Sequence, residues 1–227
     1  MITIKKGHFV TYLVLVAVVA GVLVFMSVSS AKAEDATAVF SNSVDEGLTG
    51  TAADALESVE ASSGADVAAN AVLEKLKGGA RETNVAEALR KMPAESASRV
   101  MEGMLTQNSV MALGVFSKLS EVDPVTASKI LHELVRKGEK EGAVTLYAYV
   151  LREGGELTTA QKVELREETA REFVDDSTSA LVFRTALAAG GHSAEESEFA
   201  RAVNLNRANA GLPPLGWSDP TPIPRPN

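Results

Sequence analysis

Imidazole and thiol chemistry is scarce in this chain. Its 227 residues hold three histidines, His8, His132 and His192, and no cysteine. Disulfides, thiolate metal sites and a cysteine nucleophile are therefore excluded. His192 opens the run HSAEESE, three residues before Glu195. A histidine beside acids begins a divalent-metal site, but no second His or Cys stands at zinc-site spacing, and the run reads as a helix start beside capping acids. Carboxylates come in pairs, Glu167-Glu168, Asp175-Asp176 and Glu195-Glu196. Paired carboxyl groups are what glycoside hydrolysis uses, yet any acidic helical surface makes such pairs, and no His completes an acid-base couple. GxSxG, P-loop, dinucleotide and calcium-loop motifs are all missing. No catalytic residue, cofactor or metal ligand is assigned, and the chain is read as non-enzymatic.

The residues best suited to a protein partner lie at the C-terminus. Six of the eight prolines fall in the final fifteen residues, PPLGWSDPTPIPRPN, which also hold the only tryptophan. Such a stretch cannot be helical and is expected to lie extended, partly as polyproline II. Trp217, Pro213, Pro214, Pro220, Pro222 and Pro224 are the candidate partner-binding residues. An isolated Trp either packs back onto the preceding helices or anchors another protein. Met92, Met101, Met104 and Met111 cluster within twenty residues and read as core, with a groove for a partner helix as the alternative.

Those residues are positioned by a chain with a distinct leader. Phe9 to Met26 is an eighteen-residue apolar run behind Lys5 and Lys6, with no further charge until Lys32. As a helix it would rise about 27 Å, close to a bilayer's hydrocarbon thickness. Ala31-Lys32-Ala33 before Glu34 fits a signal-peptidase site. The leader is either a cleaved signal peptide or a retained anchor; both readings export residues 34–227 and leave the leading lysines cytoplasmic. The expected location is periplasmic or extracellular, released after Ala33 or held in the membrane through Phe9–Met26. The leader carries three of the 22 bases and no acid, so residues 34–227 have 19 bases against 30 acids, a net charge of −11. That repels phosphate backbones, and no basic patch supports nucleic-acid binding.

Composition and period divide the chain into four segments: a leader (1–33), a flexible linker (34–50), an all-helical domain (51–211) and a proline-rich extended tail (212–227). The linker reading rests on Ser, Asp, Gly and Thr without a sustained period. Residues 66–76 place Val67, Ala68, Val72, Leu73 and Leu76 at helical spacing before Gly78-Gly79. Residues 143–151, AVTLYAYVL, read as a buried helix between charged and glycine flanks. Thr158 or Thr159, then Asp176 or Ser177, are N-cap candidates, Gly190-Gly191 make a C-cap, and Ser193 with Glu196 suggests a capping box. The helix after it offers Phe199, Val203 and Leu205 for apolar contacts.

Residues 87–104 and 117–134 align at an offset of 30: Leu89 with Leu119, Met92 with Val122, Ala97 with Ala127, Ser98 with Ser128, and Arg99 with Lys129. Val100, Met101 and Met104 then meet Ile130, Leu131 and Leu134. Each copy is a helix, a proline break (Pro93, Pro124) and a second helix, the period of stacked helical hairpins. His132 falls opposite Glu102, which predicts a solvent-facing position. The expected fold is all-α, an array of short helical hairpins forming a bundle or short right-handed solenoid. The pattern Met92-Pro93 to Met104 and Val122-Asp123-Pro124 to Leu134 resembles the N-terminal superhelical domain of MgtE-type magnesium transporters, over about fifty residues. Related modules occur in flagellar motor proteins, and the resemblance implies a helical scaffold for protein contacts. Residues 203–219, through Asn204, Asn206, Arg207, Gly211, Leu212, Pro214, Leu215 and Trp217, are similar to the opening of CAP-type secreted domains. That likeness is read as a shared helix-stop motif, and no function is carried from it. The expectation is an exported scaffold or accessory subunit that contacts other envelope proteins. The alternatives are an envelope hydrolase using paired carboxylates and a ligand-binding helical module.

Overall fold

The computed structural model describes residue 32 and residues 34–152 and 157–217, in which helices joined by short turns are the regular structure and there is no strand. The leader run Phe9–Met26, Pro220, Pro222 and Pro224 lie outside the described residues. Helix α1 (34–45) is followed by α2 (Thr49–Ser63), α3 (Ala65–Lys77), α4 (Glu82–Lys91), α5 (Ala94–Gln107) and α6 (Ser109–Val122). Then come α7 (Pro124–Arg136), α8 (Lys140–Arg152), α9 (Thr159–Glu172), α10 (Ser177–Ala189) and α11 (Ser193–Asn209). From α2 onward they form five hairpins stacked in two layers. One layer runs α2, α4, α6, α8, α10 and the other α3, α5, α7, α9, α11, each helix packed on the equivalent helix of the next hairpin. Among the described residues no helix is long and apolar enough to cross a membrane.

Local chemistry sets these boundaries. Asp123 accepts a hydrogen bond from the Thr126 N–H at 3.0 Å, and Pro124 occupies the first helical position, where no N–H is needed. The same helix ends in a Schellman turn, with Gly138 at φ +95° and the Glu139 N–H donating to Leu134 C=O. Thr158 and Gln161 form a reciprocal capping box on α9, and Asp176 caps α10. Helix α8 is the buried helix expected from its apolar run, with Leu146, Tyr147 and Val150 fully enclosed.

The offset-30 repeat is the pair of hairpins α4-α5 and α6-α7, and its matched residues carry the contacts between hairpins. Ala97, Val100, Met101 and Met104 are buried, as are Ala127, Ile130, Leu131 and Leu134. Ser98 receives a hydrogen bond from Lys137 Nζ at 3.2 Å. Its counterpart Ser128 pairs with Thr169 Oγ at 3.0 Å; the Thr169 hydroxyl already donates to Leu165 C=O, so Ser128 is the donor. Small residues let α3 and α5 approach closely: a Cβ on Gly103 would sit 2.8 Å from the Ala69 Cβ.

Four expectations are corrected. Residues 34–45 are a helix, not a flexible linker: Ala36, Phe40 and Val44 repeat every fourth residue and are buried, Asn84 donates to the Val44 carbonyl at 2.8 Å, and Asp45 pairs with Lys75. His132 does not face solvent. Its ring packs edge-on against Phe173 at 4.7 Å, and its Nε2 lies 3.1 Å from Asp176 Oδ2, because its helix face meets the next hairpin. The Ser193–Glu196 capping box does not form, since His192 is the N-cap residue and Glu196 is drawn into an ion pair with Arg184. Leu205 is 61% exposed, whereas Phe199 and Val203 are buried.

Candidate functional site

The fourth and fifth hairpins are built around aromatic rings. Phe183 of α10 lies 5.3 Å from Phe173, 5.4 Å from Tyr147 and 5.1 Å from Phe199, the first pair stacked and the others edge-on. The Tyr147 hydroxyl is buried with no hydrogen-bond partner among the described residues. Burial pushes that phenol strongly upward, the nearby Glu198 and Glu195 add to the effect, and Arg166 opposes it.

Around this cluster the first two turns of α11 tie three other helices. Glu195 takes two hydrogen bonds from Arg152 of α8, both at 2.8 Å. Glu196 pairs with Arg184 of α10, and Glu198 with Arg166 of α9 at 2.9 Å. Glu195 and Glu196, in the first turn, also meet the positive end of the helix dipole. The hydrogen bonds from Arg152 hold the Glu195 carboxyl below its usual range against the opposing effect of burial. At Asp176 burial pushes upward, but hydrogen bonds from the Ser179 N–H and hydroxyl and from His132 outweigh it and bring that carboxyl down.

These two acids make the fold acid-sensitive. A carboxyl held low in the folded chain contributes stability that is complete above the unfolded carboxylate pKa of about 4 and disappears as pH falls through the folded value. The melting midpoint should stay level from pH 7 to 5 and drop below about pH 4.5. Glu102, raised by burial and then by Glu139, works in the opposite direction and at higher pH, adding a little stability as pH falls through its raised folded value to the unfolded one, before the drop begins. Removing the Arg152 partner (Arg152→Ala) should flatten the acid limb while lowering stability at pH 7, measured by thermal melts across the series.

Over this core, α8 and α10 diverge to leave an apolar groove of about 600 Å³. Val144 and Thr145 form one wall and Leu181, Val182, Thr185 and Ala186 the other; Lys140 and Glu141 stand at the start of α8, and His192 contributes from the turn after α10. Phe183 and Leu187 point into the core, which leaves Val182 and Ala186 for the groove and Leu181 half-exposed at its rim. A smaller recess of about 280 Å³ opens at the start of α3, lined by Asp66, Arg99 and Glu102.

The C-terminal residues predicted for partner contact are partly used within the chain. Asn204 exchanges two hydrogen bonds with the Leu215 backbone, 2.8 and 3.3 Å, and Arg207 holds the Pro213 carbonyl at 2.9 Å and the Val174 carbonyl at 2.6 Å. Gly211 supplies the positive φ of +73° that stops α11. So fixed, Trp217 stacks over Phe199 at 6.5 Å, and the Arg184 guanidinium lies 5.1 Å from its ring centre. Pro213 and Pro214 are exposed. Replacing Trp217 with alanine should cost about 1–2 kcal/mol, the range for a half-buried ring with one cation contact; an unchanged thermal melt would remove this packing role. The groove itself has no sequence signature, since Val144 and Val182 come from helices of different hairpins. Compared with protein-family models, curated proteins and solved structures, the chain matches none.

Proposed function

We propose that the chain is an exported helical scaffold, an accessory subunit of a cell-envelope protein assembly, that works by protein contacts rather than by catalysis. The observation that carries this reading is the α8-α10 groove: apolar walls on an otherwise acidic hairpin array, with a half-exposed Leu181 at the rim. Apolar concavities between helices are where extended or helical segments of partners lodge. The apolar run Phe9–Met26 behind two lysines supports export, and retention of that run would keep the array at the outer face of the membrane. The resemblance to MgtE-type superhelical domains is in keeping with a scaffold role. Affinity purification of the full chain from membranes, beside a Leu181→Glu variant, tests the reading. A stoichiometric envelope protein should accompany the unaltered chain and be lost with the variant. Recovery of the unaltered chain alone, as a monodisperse monomer, would count heavily against a scaffold.

A second reading has one observation in its favour. Glu102 is held above the usual carboxylate range by burial and by Glu139, and it shares a recess with Asp66 and Arg99, as a general acid in a hydrolase would. Hydrolysis of glycan or peptide substrates that is abolished by Glu102→Gln would establish it; a panel without turnover would dismiss it.

A further inference from the structure

We propose that the α8-α10 groove seats one amphipathic helix of a partner protein, with an aliphatic stripe against Val144 and Val182 and a carboxylate at the end that meets Lys140 and His192. The proposal rests on the scaffold reading and states the chemistry of the segment that the scaffold would hold.

The walls select the conformation of the occupant. Both are helices, whose backbone groups bond within themselves. The two hydroxyls of the lining are spent in the same way: Thr145 donates to the Glu141 carbonyl and Thr185 to the Leu181 carbonyl, each at 2.8 Å. An extended segment would find no backbone edge to pair with and would bury N–H and C=O groups at a cost. A helix arrives with those groups already paired and offers only its side chains. The length agrees. Along α10 the lining runs from Leu181 to Gly190, nine steps of 1.5 Å or about 14 Å. Side chains at i, i+3 or i+4, and i+7 of a docked helix span about 10 Å, so three aliphatic anchors fit. Ala186, Ala189 and Gly190 are small and admit a close approach, as Ala69 and Gly103 do where α3 meets α5.

Charge fixes the polar end. Lys140 and Glu141 are the formally charged residues of the lining, and they are only loosely paired, 3.8 Å apart. Glu141 is turned to solvent, 78% exposed, whereas Lys140 is 46% exposed, so the charge that stays with the groove is the base. It stands at the start of α8, where the helix dipole adds positive potential. Helix α10 contributes no acid, and His192 presents an imidazole whose Nδ1 has no hydrogen-bond partner among the described residues. A carboxylate on the partner meets all three. Elsewhere residues 34–227 carry 30 acids against 19 bases, so further acids on the docked helix would be repelled and its outer face is basic or neutral.

The test is an unbiased selection. The full chain, carried in phosphatidylcholine nanodiscs, is panned with a random library of sixteen-residue peptides, and clones that also bind the Leu181→Glu variant are discarded; Leu181 is half exposed, so the helical circular dichroism of that variant should be unchanged. The surviving peptides should carry aliphatic residues at i, i+3 or i+4, and i+7 with an acid at one end, and should gain helical circular dichroism on binding. They should bind Leu181→Glu at least tenfold more weakly. Lys140→Glu should weaken them about fivefold, and changing the peptide's acid to lysine should restore the affinity for that variant. Survivors that bind extended or carry mid-sequence prolines, indifference to Lys140→Glu, or no Leu181-dependent clone at all would each overturn the proposal. So would a dimer of the chain that Leu181→Glu dissolves, which would give the groove to a second copy. An envelope protein that co-purifies through Leu181 but docks by an extended segment would overturn the helix and leave the scaffold reading standing.

Discussion

Phe183→Ala should lower the unfolding free energy by about 3–5 kcal/mol, the range for emptying a fully enclosed phenylalanine site. The ring meets Tyr147, Phe173 and Phe199 at once, so its loss leaves three aromatic neighbours facing a cavity that none of them can fill without abandoning its own packing. In a chain of this size that corresponds to a melting midpoint lower by roughly 10 °C or more. Hairpin arrays spread stability through nearest-neighbour contacts, so the damage should be regional. Amide hydrogen exchange should accelerate in α8 to α11 and stay slow in α2 to α5. Tyr147→Phe is the informative contrast at the same cluster. It removes a buried hydroxyl without a partner and keeps the ring, so stability should hold within about 1 kcal/mol or rise. A Phe183→Ala protein that melts with the unaltered chain, or that loosens uniformly, would refute this picture of the C-terminal half.

The fold was legible where successive hairpins use the same letters for the same contacts. Pro93 and Pro124 mark the starts of their second helices, 31 residues apart, just before the buried pairs Met101/Leu131 and Met104/Leu134 at an offset of 30, so two hairpins stand out from the sequence alone. The next hairpin breaks that register: α9 begins at Thr159, 35 residues after Pro124 rather than 30, and presents Thr169 to Ser128 where the earlier copy presents Lys137 to Ser98. The stacking survives while its spelling changes. His132 shows the opposite failure. Its alignment with Glu102 is correct, yet equivalent positions meet different neighbours, and in this hairpin the neighbour brings Phe173 and Asp176.

The candidate site was legible only at its C-terminal edge. Trp217 reads as a residue that must dock, and it does so on Phe199 and Arg184. The groove beside it is a gap between two helices, and gaps follow from packing angles, which no local pattern of residues encodes. The acids of HSAEESE looked like a helix-start motif or a metal half-site because their partners Arg152, Arg184 and Arg166 are remote in sequence. Their work is to fasten α11 to the three helices around it.

Phe40→Ala is expected to have the second large effect, and at the other end of the molecule. Serine, aspartate and glycine make residues 34–50 look like a tether, but Ala36, Phe40 and Val44 form one face, and full burial of Phe40 makes about 3 kcal/mol depend on that helix staying docked. Phe40→Ala should release α1: limited proteolysis should cut within 34–45, and exchange should become fast there while α8 to α11 stay protected. The first hairpin would lose its cover, so the variant should also self-associate more readily, as arrays without a capping element do. If residues 34–45 were only a tether, none of these changes would occur. The consequence reaches the leader. With α1 docked, only residues 27–33 separate the apolar run from the array, a reach of at most about 25 Å. A retained anchor would therefore hold the first hairpin close to the membrane face. Undocking α1 would add twelve residues, or about 40 Å of extended chain, and free the array to move away from that face. If the leader is a retained anchor, as proposed, docking of Phe40 would set how far from the membrane the first hairpin stands.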